Sequence, residues 1–320
     1  MVRILGALAA IAAFSFAQAQ SYPAKTVRVV FPLVPGSASN DIFGRALAQR
    51  LSESLGQQFV PDYRPGAAGS IGSALVAKSA PDGYTLLIGY TSSIMISPTL
   101  LPNAGFNTLT DLAPIARIAV VPFIAIVHPS LPARDLKGLV ALARARPGQI
   151  NFASAGTGGL PHLAGELFKL IANIDIVHVP YRGAANAHSD LMGGHVQMQF
   201  TGISGVSPSI RAGKLRAIAV TAPRRSALLP EVPTAAESGF PRLDVVSSLG
   251  MLAPANTPAP IVRRLSEEIN KIVNGADLSG FIVRLGAEPA PMDPAEFGAH
   301  IKAEIEKWAR VIKAAGIKAD

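Results

Sequence analysis

The sequence predicts an α/β protein of two lobes, each a mixed sheet flanked by helices. Three observations carry that prediction. Apolar β-branched runs alternate with segments of helical period along most of the chain. A strand, a small-residue turn and a helix occur over VRVVFPLVPGSASNDIFGRALAQR (27–50) and again over INFASAGTGGLPHLAGELFK (150–169), about 120 residues later. Two further apolar stretches, 112–127 and 243–253, read as strands that cross between lobes. The crossing points make the first lobe discontinuous, with residues 21–122 and 246–320 enclosing an inserted second lobe over 123–245.

The composition, 49% hydrophobic and 16% charged over 320 residues, suits a chain with a large buried core. With no cysteine there is no disulfide, no thiol nucleophile and no Cys-ligated zinc, although this leaves the compartment open. Arg3 followed by an apolar run to Phe16 and then Ala17, Gln18 and Ala19 reads as a cleaved secretory signal over residues 1–20. That run falls short of the roughly 20 apolar residues a membrane span needs. Losing Arg3 lowers the formal charge from +8 to +7, an excess able to steer an anionic ligand. The lysines and arginines are scattered, with few aromatic residues among them, which argues against nucleic acid as a partner.

Val27, Val29, Val30 and Phe31 make the first strand, and the helix after it places Ile42, Phe43, Ala46 and Leu47 on its apolar side. Ser39, Asn40 or Asp41 can cap that helix, and its unpaired first N–H groups suit a small carboxylate. A short strand over Gln58–Pro61 leads to a turn with Gly66, Gly69 and Gly72, then a helix with Ile71, Leu75 and Val76 on one face. Pro81, Asp82 and Gly83 turn the chain into a buried strand, Tyr84–Tyr90. Thr91, Ser92 and Ser93 stand at the carboxyl end of that strand, where open α/β sheets bind ligands; the same hydroxyls also suit capping of the next segment.

Leu112–Val127, interrupted by Pro114 and Pro122, reads as one bent strand or two. A helix over Leu136–Arg146 precedes the second strand-turn-helix unit, whose turn holds Gly156, Gly158 and Gly159 with Pro161 at the helix start. IDIVHVPYRG is a strand entering another glycine turn, followed by a helix around Asn186–Met192 that ends at Gly193 and Gly194. HVQMQF is a strand reaching the loop Thr201–Ser204, Gly205–Ala212 is helical and KLRAIAVTA is a strand. Residues 223–239 lack clear periodicity in their first half. Helices over Ile261–Asn274, Ala276–Leu285 and Pro294–Ala315 close the chain, with Trp308 assigned to packing.

Read in order, YPAKTVRVVFPLVPG with Asp41, RPGAAGSIG, APDGYTLL, FNTLTDLAPIARIA, INFASAGTGGLPHLAGELFK, VHVPYRGAANAHSDLMGGHVQMQF, IRAGKLRAIAVT, LPEVPTAAESGFP and LGAEPAP resemble the tripartite tricarboxylate transporter substrate-binding proteins, or Bug receptors. The resemblance runs from Tyr22 to the C-terminus. It implies a two-lobe periplasmic binding protein fold of the Venus flytrap, type II-like kind, in a monomeric periplasmic protein that holds a small carboxylate between its lobes. It implies no cofactor, no metal and no catalysis. The implied partners are membrane subunits of a tripartite transporter, or a membrane sensor.

Carried over by position, the ligand residues are Pro35, Gly36, Ser37, Ser39, Asn40 and Asp41 of the first turn and Thr91, Ser92 and Ser93 of the strand end. The second lobe adds Ser154, Gly156, Thr157, Gly158, His162, Tyr181, Arg182, Gly183 and Thr201. The sequence departs from the family pattern at Ser37, in place of a second glycine, and at Tyr63 for Asn, Ala68 for Gly and Thr201 for Asp.

Individual roles stay open at three of these positions. Asp41 suits a helix start with or without ligand. His162 can donate to an anion or sit satisfied at an interface, and Arg182 can pair with a carboxylate or remain solvated. There is no G-x-S-x-G, H-E-x-x-H, Walker A or complete G-x-G-x-x-G motif, and the six histidines do not fall at metal-ligand spacings. A secreted hydrolase therefore needs a catalytic set assembled only in space.

Overall fold

A computed structural model describes residues 22–36, 39–101 and 103–318. The expected leader over 1–20 and the candidate Ser37 lie outside the described residues. Strand β1 (Val27–Phe31) is buried at Val27, Val29, Val30 and Phe31. Helix α1 (Ser39–Leu55) follows and buries Phe43, Leu47 and Leu51. These lie four residues apart and form the stripe facing the core. Ile42, expected inward, lies at the edge of that stripe and is exposed.

Strand β2 (Phe59–Tyr63) runs parallel to β1. Helix α2 (Ser70–Ala77) corrects an expectation: its inner face is Ser70, Gly72, Ser73 and Val76, while Ile71 is 54% exposed. Gly72 sits so close to the preceding chain that a Cβ would lie 2.8 Å from the Arg64 carbonyl oxygen and 2.9 Å from Pro32 Cβ. Close backbone approach turns the small residues inward and leaves Ile71 outside.

Strand β3 (Thr85–Tyr90), parallel to β1, ends in a π-helical turn, Thr91–Ile96. Helices α3 (Ser97–Leu100) and α4 (Thr108–Asp111) lead to β4 (Leu112–Val127), one continuous 16-residue strand. There follow α5 (Leu136–Ala145), β5 (Asn151–Ser154), α6 (Leu160–Ala172), β6 (Val177–Pro180), α7 (Ala184–Met192), β7 (Met198–Gly202), α8 (Ile203–Arg211) and β8 (Arg216–Val220). The chain finishes with β9 (Val246–Pro254), α9 (Ala259–Asn274), α10 (Ala276–Arg284), β10 (Glu288–Met292) and α11 (Pro294–Ala315). Strand β10 was not foreseen. Its two prolines suppress a strand pattern, and it pairs antiparallel with β4 through an irregular register.

The strands form one curled sheet of order β2-β1-β3-β9-β4-β7-β5-β6, with β8 and β10 also on β4. β1, β2 and β3 are parallel to one another, as are β5, β6 and β7, and the antiparallel β4 and β9 join the two groups. Strand β4 changes partner part-way along its length. Pro122 is the last residue registered with β9, and Phe123 is the first registered with β7. Buried Thr221 clamps this point, its hydroxyl lying 2.6 Å from the Val245 carbonyl oxygen and 3.1 Å from that of Phe123.

Helix α11 packs Ile301, Trp308 and Val311 into a core that contains Val30 of β1, Leu87 of β3, Ile94 of the turn after β3, Phe152 of β5, and Leu163 and Phe168 of α6. Trp308 is fully buried, and its indole N–H donates to Glu304 Oε2 at 2.9 Å. Among the described residues no helix is long and apolar enough to cross a membrane.

Candidate ligand-binding site

The described candidate residues all stand at or just beyond the carboxyl ends of the parallel strands β1, β3, β5, β6 and β7. This is the edge where α/β sheets present loops and helix N-termini to ligands. The two strand-turn-helix units are closed by different chemistry.

In the first turn, Asp41 is the third residue of α1 and is fully buried. Its carboxylate reaches back to accept the Gly36 N–H at 2.9 Å, the Tyr63 hydroxyl at 2.7 Å and the Arg45 Nε at 3.2 Å. Its acceptor capacity is thus largely spent within the protein. Burial, then the hydrogen bond to Asp41, pushes the Tyr63 hydroxyl up to about 12, so it remains a donor at neutral pH. Ser39 opens the helix, and neighbouring Asn40 is buried with its Oδ1 unpaired among the described residues. Pro35 and Gly36 are exposed. Close by, Ala68 has φ +53°, a left-handed conformation that a residue with a Cβ rarely adopts.

At the end of β3, two of the three hydroxyls already have internal partners. Thr91 Oγ1 accepts the Ser248 N–H at 2.8 Å and ties the turn to β9. Ser93 Oγ accepts the Tyr90 N–H at 3.1 Å, and the Tyr90 hydroxyl donates to the Pro32 carbonyl at 3.2 Å, holding this end beside the first turn. The half-buried Ser92 side chain makes no hydrogen bond among the described residues.

The second turn, between β5 and α6, carries no charged side chain from Ser154 to Leu160. Ser154 Oγ accepts the Gly156 N–H at 3.2 Å and lies 2.6 Å from His178 Nε2 on β6. His162, only 5% exposed, accepts the Gly158 N–H on Nδ1 at 3.0 Å, which leaves its own proton on Nε2, 3.8 Å from Glu166 Oε1. The imidazole therefore backs the turn. Burial, then Lys169, lowers His162 to about 4; burial, then His162 and Lys169, lowers His178 to about 3. Both rings are neutral at pH 7.

Gly158 has φ +75°, and a Cβ there would lie 2.1 Å from Leu100 Cδ2, so the turn rests on the element that follows β3. Neither the N–H nor the hydroxyl of half-buried Thr157 has a partner among the described residues. The helix behind it begins without a side-chain cap.

Tyr181 and Gly183 border this turn, their N–H groups donating to the carbonyls of Ser154 at 3.0 Å and Ala155 at 3.4 Å. The Tyr181 hydroxyl donates to Asp190 Oδ2 at 2.8 Å, and burial followed by that carboxylate raises it to about 12. The Arg182 side chain is exposed and makes no hydrogen bond among the described residues. Thr201 is buried on β7, opposite Ile124 of β4. His178, Tyr90, Asp190 and Leu100 were not among the candidates read from the sequence. His178 had a signal, since it stands directly before the VPYRG turn. No group of three or more metal-ligating side chains occurs among the described residues.

The family model described as "Tripartite tricarboxylate transporter family receptor" matches residues 43–317. The chain belongs to that family. Among relatives of this receptor, Protein BugT of Bordetella pertussis (strain Tohama I) is 36% identical over 301 residues, covering 94% of this chain and 92% of that protein. The structure of R. palustris Rpa4515 with adipate is 34% identical at a TM-score of 0.80, covering 93% of the receptor and 99% of that chain. MatC of Rhodopseudomonas palustris with bound malate is 28% identical at a TM-score of 0.75, covering 91% of the receptor and 100% of that chain. The family consists of periplasmic substrate-binding proteins that take small carboxylates, and the receptor has the periplasmic binding protein fold read from its sequence.

Proposed function

We propose that this receptor captures a small organic acid between its two turns and delivers it, chemically unchanged, to membrane subunits of a tripartite transporter. The observation that carries this reading is the second turn. Thr157 offers an unpaired N–H and an unpaired hydroxyl at the uncapped start of α6, where the helix dipole favours an anion. The acid's carboxylate docks there. Its other end meets the β3 terminus, where the Ser92 hydroxyl is open to hydrogen bonding. Asp41 shapes the first turn, its charge already matched by Arg45, Tyr63 and Gly36.

In this reading residues 21–122 with 246–320, and residues 123–245, are two lobes of a monomer that swing about β4 and β9. Closure excludes water and strengthens the hydrogen bonds to the anion, and the ligand selects the closed state by binding it better. Residues 1–20 direct export to the periplasm. Adipate and malate, seen in related proteins, define the size class to test first.

A thermal-shift screen of mono-, di- and tricarboxylates tests the reading. An acid at about 100 times its dissociation constant adds about 2.7 kcal/mol of stability. Thr157→Asp removes that stabilisation by repulsion while leaving the unliganded melting temperature near its original value. A screen without a stabilising acid, or an unchanged response in Thr157→Asp, contradicts the proposal.

A further inference from the structure

Behind the second turn the rings of His162 and His178 stack with centroids 3.6 Å apart and planes 11° from parallel. Phe152 packs on both, at 6.2 and 5.0 Å. We propose that His178 is a positioning residue for anion capture: acting through Ser154, while His162 acts through Gly158, it fixes the turn so that the Thr157 N–H meets the ligand. This inference rests on the binding reading above and assigns the residues that make that site rigid.

The turn needs an external brace. Gly156 and Gly158 have φ +139° and +75°, and the chain between them makes few hydrogen bonds of its own. The brace has two arms. On one side Ser154 Oγ accepts the Gly156 N–H and lies 3.0 Å from the Gly156 carbonyl oxygen as well as 2.6 Å from His178 Nε2. The hydroxyl has one proton for two takers, so when it goes to the Gly156 carbonyl the imidazole must be the donor. On the other side His162 Nδ1 holds the Gly158 N–H at 3.0 Å. Thr157 is the residue between the two arms.

Burial, then Lys169 for His162 and the stacked His162 ring for His178, keeps both imidazoles neutral. A proton on His162 Nδ1 removes the acceptor for Gly158, and charging both rings places two cations face to face at 3.6 Å. The charged groups packed against the pair are Glu166 and Lys169 of α6, which bond each other at 3.1 Å. From β5 comes the uncharged Ser154, and from β6 His178 itself. The brace therefore holds the turn without adding net charge beside the anion.

Substitutions that keep or remove one nitrogen separate this role from packing. His178→Phe preserves ring stacking and deletes the partner of Ser154, whereas His178→Gln returns an amide near the Nε2 position. Titration with adipate is expected to show about 10-fold weaker binding for His178→Phe and near-normal binding for His178→Gln. Ser154→Ala should weaken binding similarly, and combining it with His178→Phe should add little because both remove one interaction. His162→Asn keeps an acceptor near Nδ1 that does not titrate. The ratio of its affinity to that of the unaltered protein should rise as the pH falls from 5 to 4.

Wild-type affinity in His178→Phe overturns the inference. If no acid binds the unaltered protein, the function proposed above fails, and amide exchange in the free protein still decides about the brace. Faster exchange at Gly156 and Gly158 in His178→Phe than in His178→Gln supports it; equal exchange refutes it.

Discussion

In the turn after β1, a buried carboxylate gathers the loose donors, as Asp41 takes the Gly36 N–H, the Tyr63 hydroxyl and Arg45. In the turn after β5 the same work falls to Ser154 and two neutral imidazoles. The difference matters because a carboxylate at a helix start occupies the place an anion would take, whereas a ring nitrogen secures Gly158 and leaves the helix field unspent. Two units that look alike in sequence thus divide the labour. The first is closed on itself, and the second leaves the Thr157 N–H and hydroxyl without partners among the described residues.

The largest expected contrast lies between the two glycines with similar left-handed backbones. Gly158→Ala combines φ +75° with a contact 2.1 Å from Leu100, whereas Gly36→Ala has φ +71° and open space around it. Urea unfolding should give a loss of about 2–5 kcal/mol for Gly158→Ala and about 1–2 kcal/mol for Gly36→Ala. Equal losses would mean that the second turn does not rest on Leu100. Next in size, Asp41→Asn weakens a set of hydrogen bonds to a charged, buried acceptor and should cost about 1.5–3 kcal/mol in the same assay.

The neutral closure of the second turn should also show in pH dependence. In the folded protein His162 and His178 protonate only near about 4 and about 3, against an ordinary value of 6.5. The unfolded chain therefore takes up protons first. Their contribution to stability is complete above about 6.5 and is lost as the pH falls through that value towards the folded ones. Each ring adds up to about 1.4 kcal/mol per pH unit within its window, so His162→Asn should flatten the unfolding profile between pH 6 and 4.5. The smallest effect belongs to the first turn. Arg45→Ala breaks an i,i+4 pair whose arginine is half exposed, for about 0.3–0.5 kcal/mol.

How far such features can be read from sequence depends on how local they are. β1, β3 and the C-terminal helices follow from apolar spacing that any window of the chain contains. The inward face of α2 does not, because Gly72 faces the core only through its approach to Pro32 and Arg64. The prolines of β10 conceal a strand that exists because β4 offers it an edge. The π-helical turn after β3 is likewise tied to β9 through the Ser248 N–H, far away in the chain.

The candidate site was legible as a set of strand ends, since turn composition marks them. What each side chain does there was less so. Parallel pairing of β5 with β6 sets Phe152 opposite His178 and brings that ring to Ser154, a register that neither segment encodes alone.

The contrast between the turns is tested most directly by following the backbone amides of Thr157 and Gly36 by proton–nitrogen NMR while adipate is added. The Thr157 amide should move downfield and saturate with the binding isotherm, as its unpaired N–H gains a carboxylate oxygen. The Gly36 amide, already bonded to Asp41, should move far less. A Thr157 resonance that stays in place while the protein binds adipate would contradict the assignment of the second turn as the anion site.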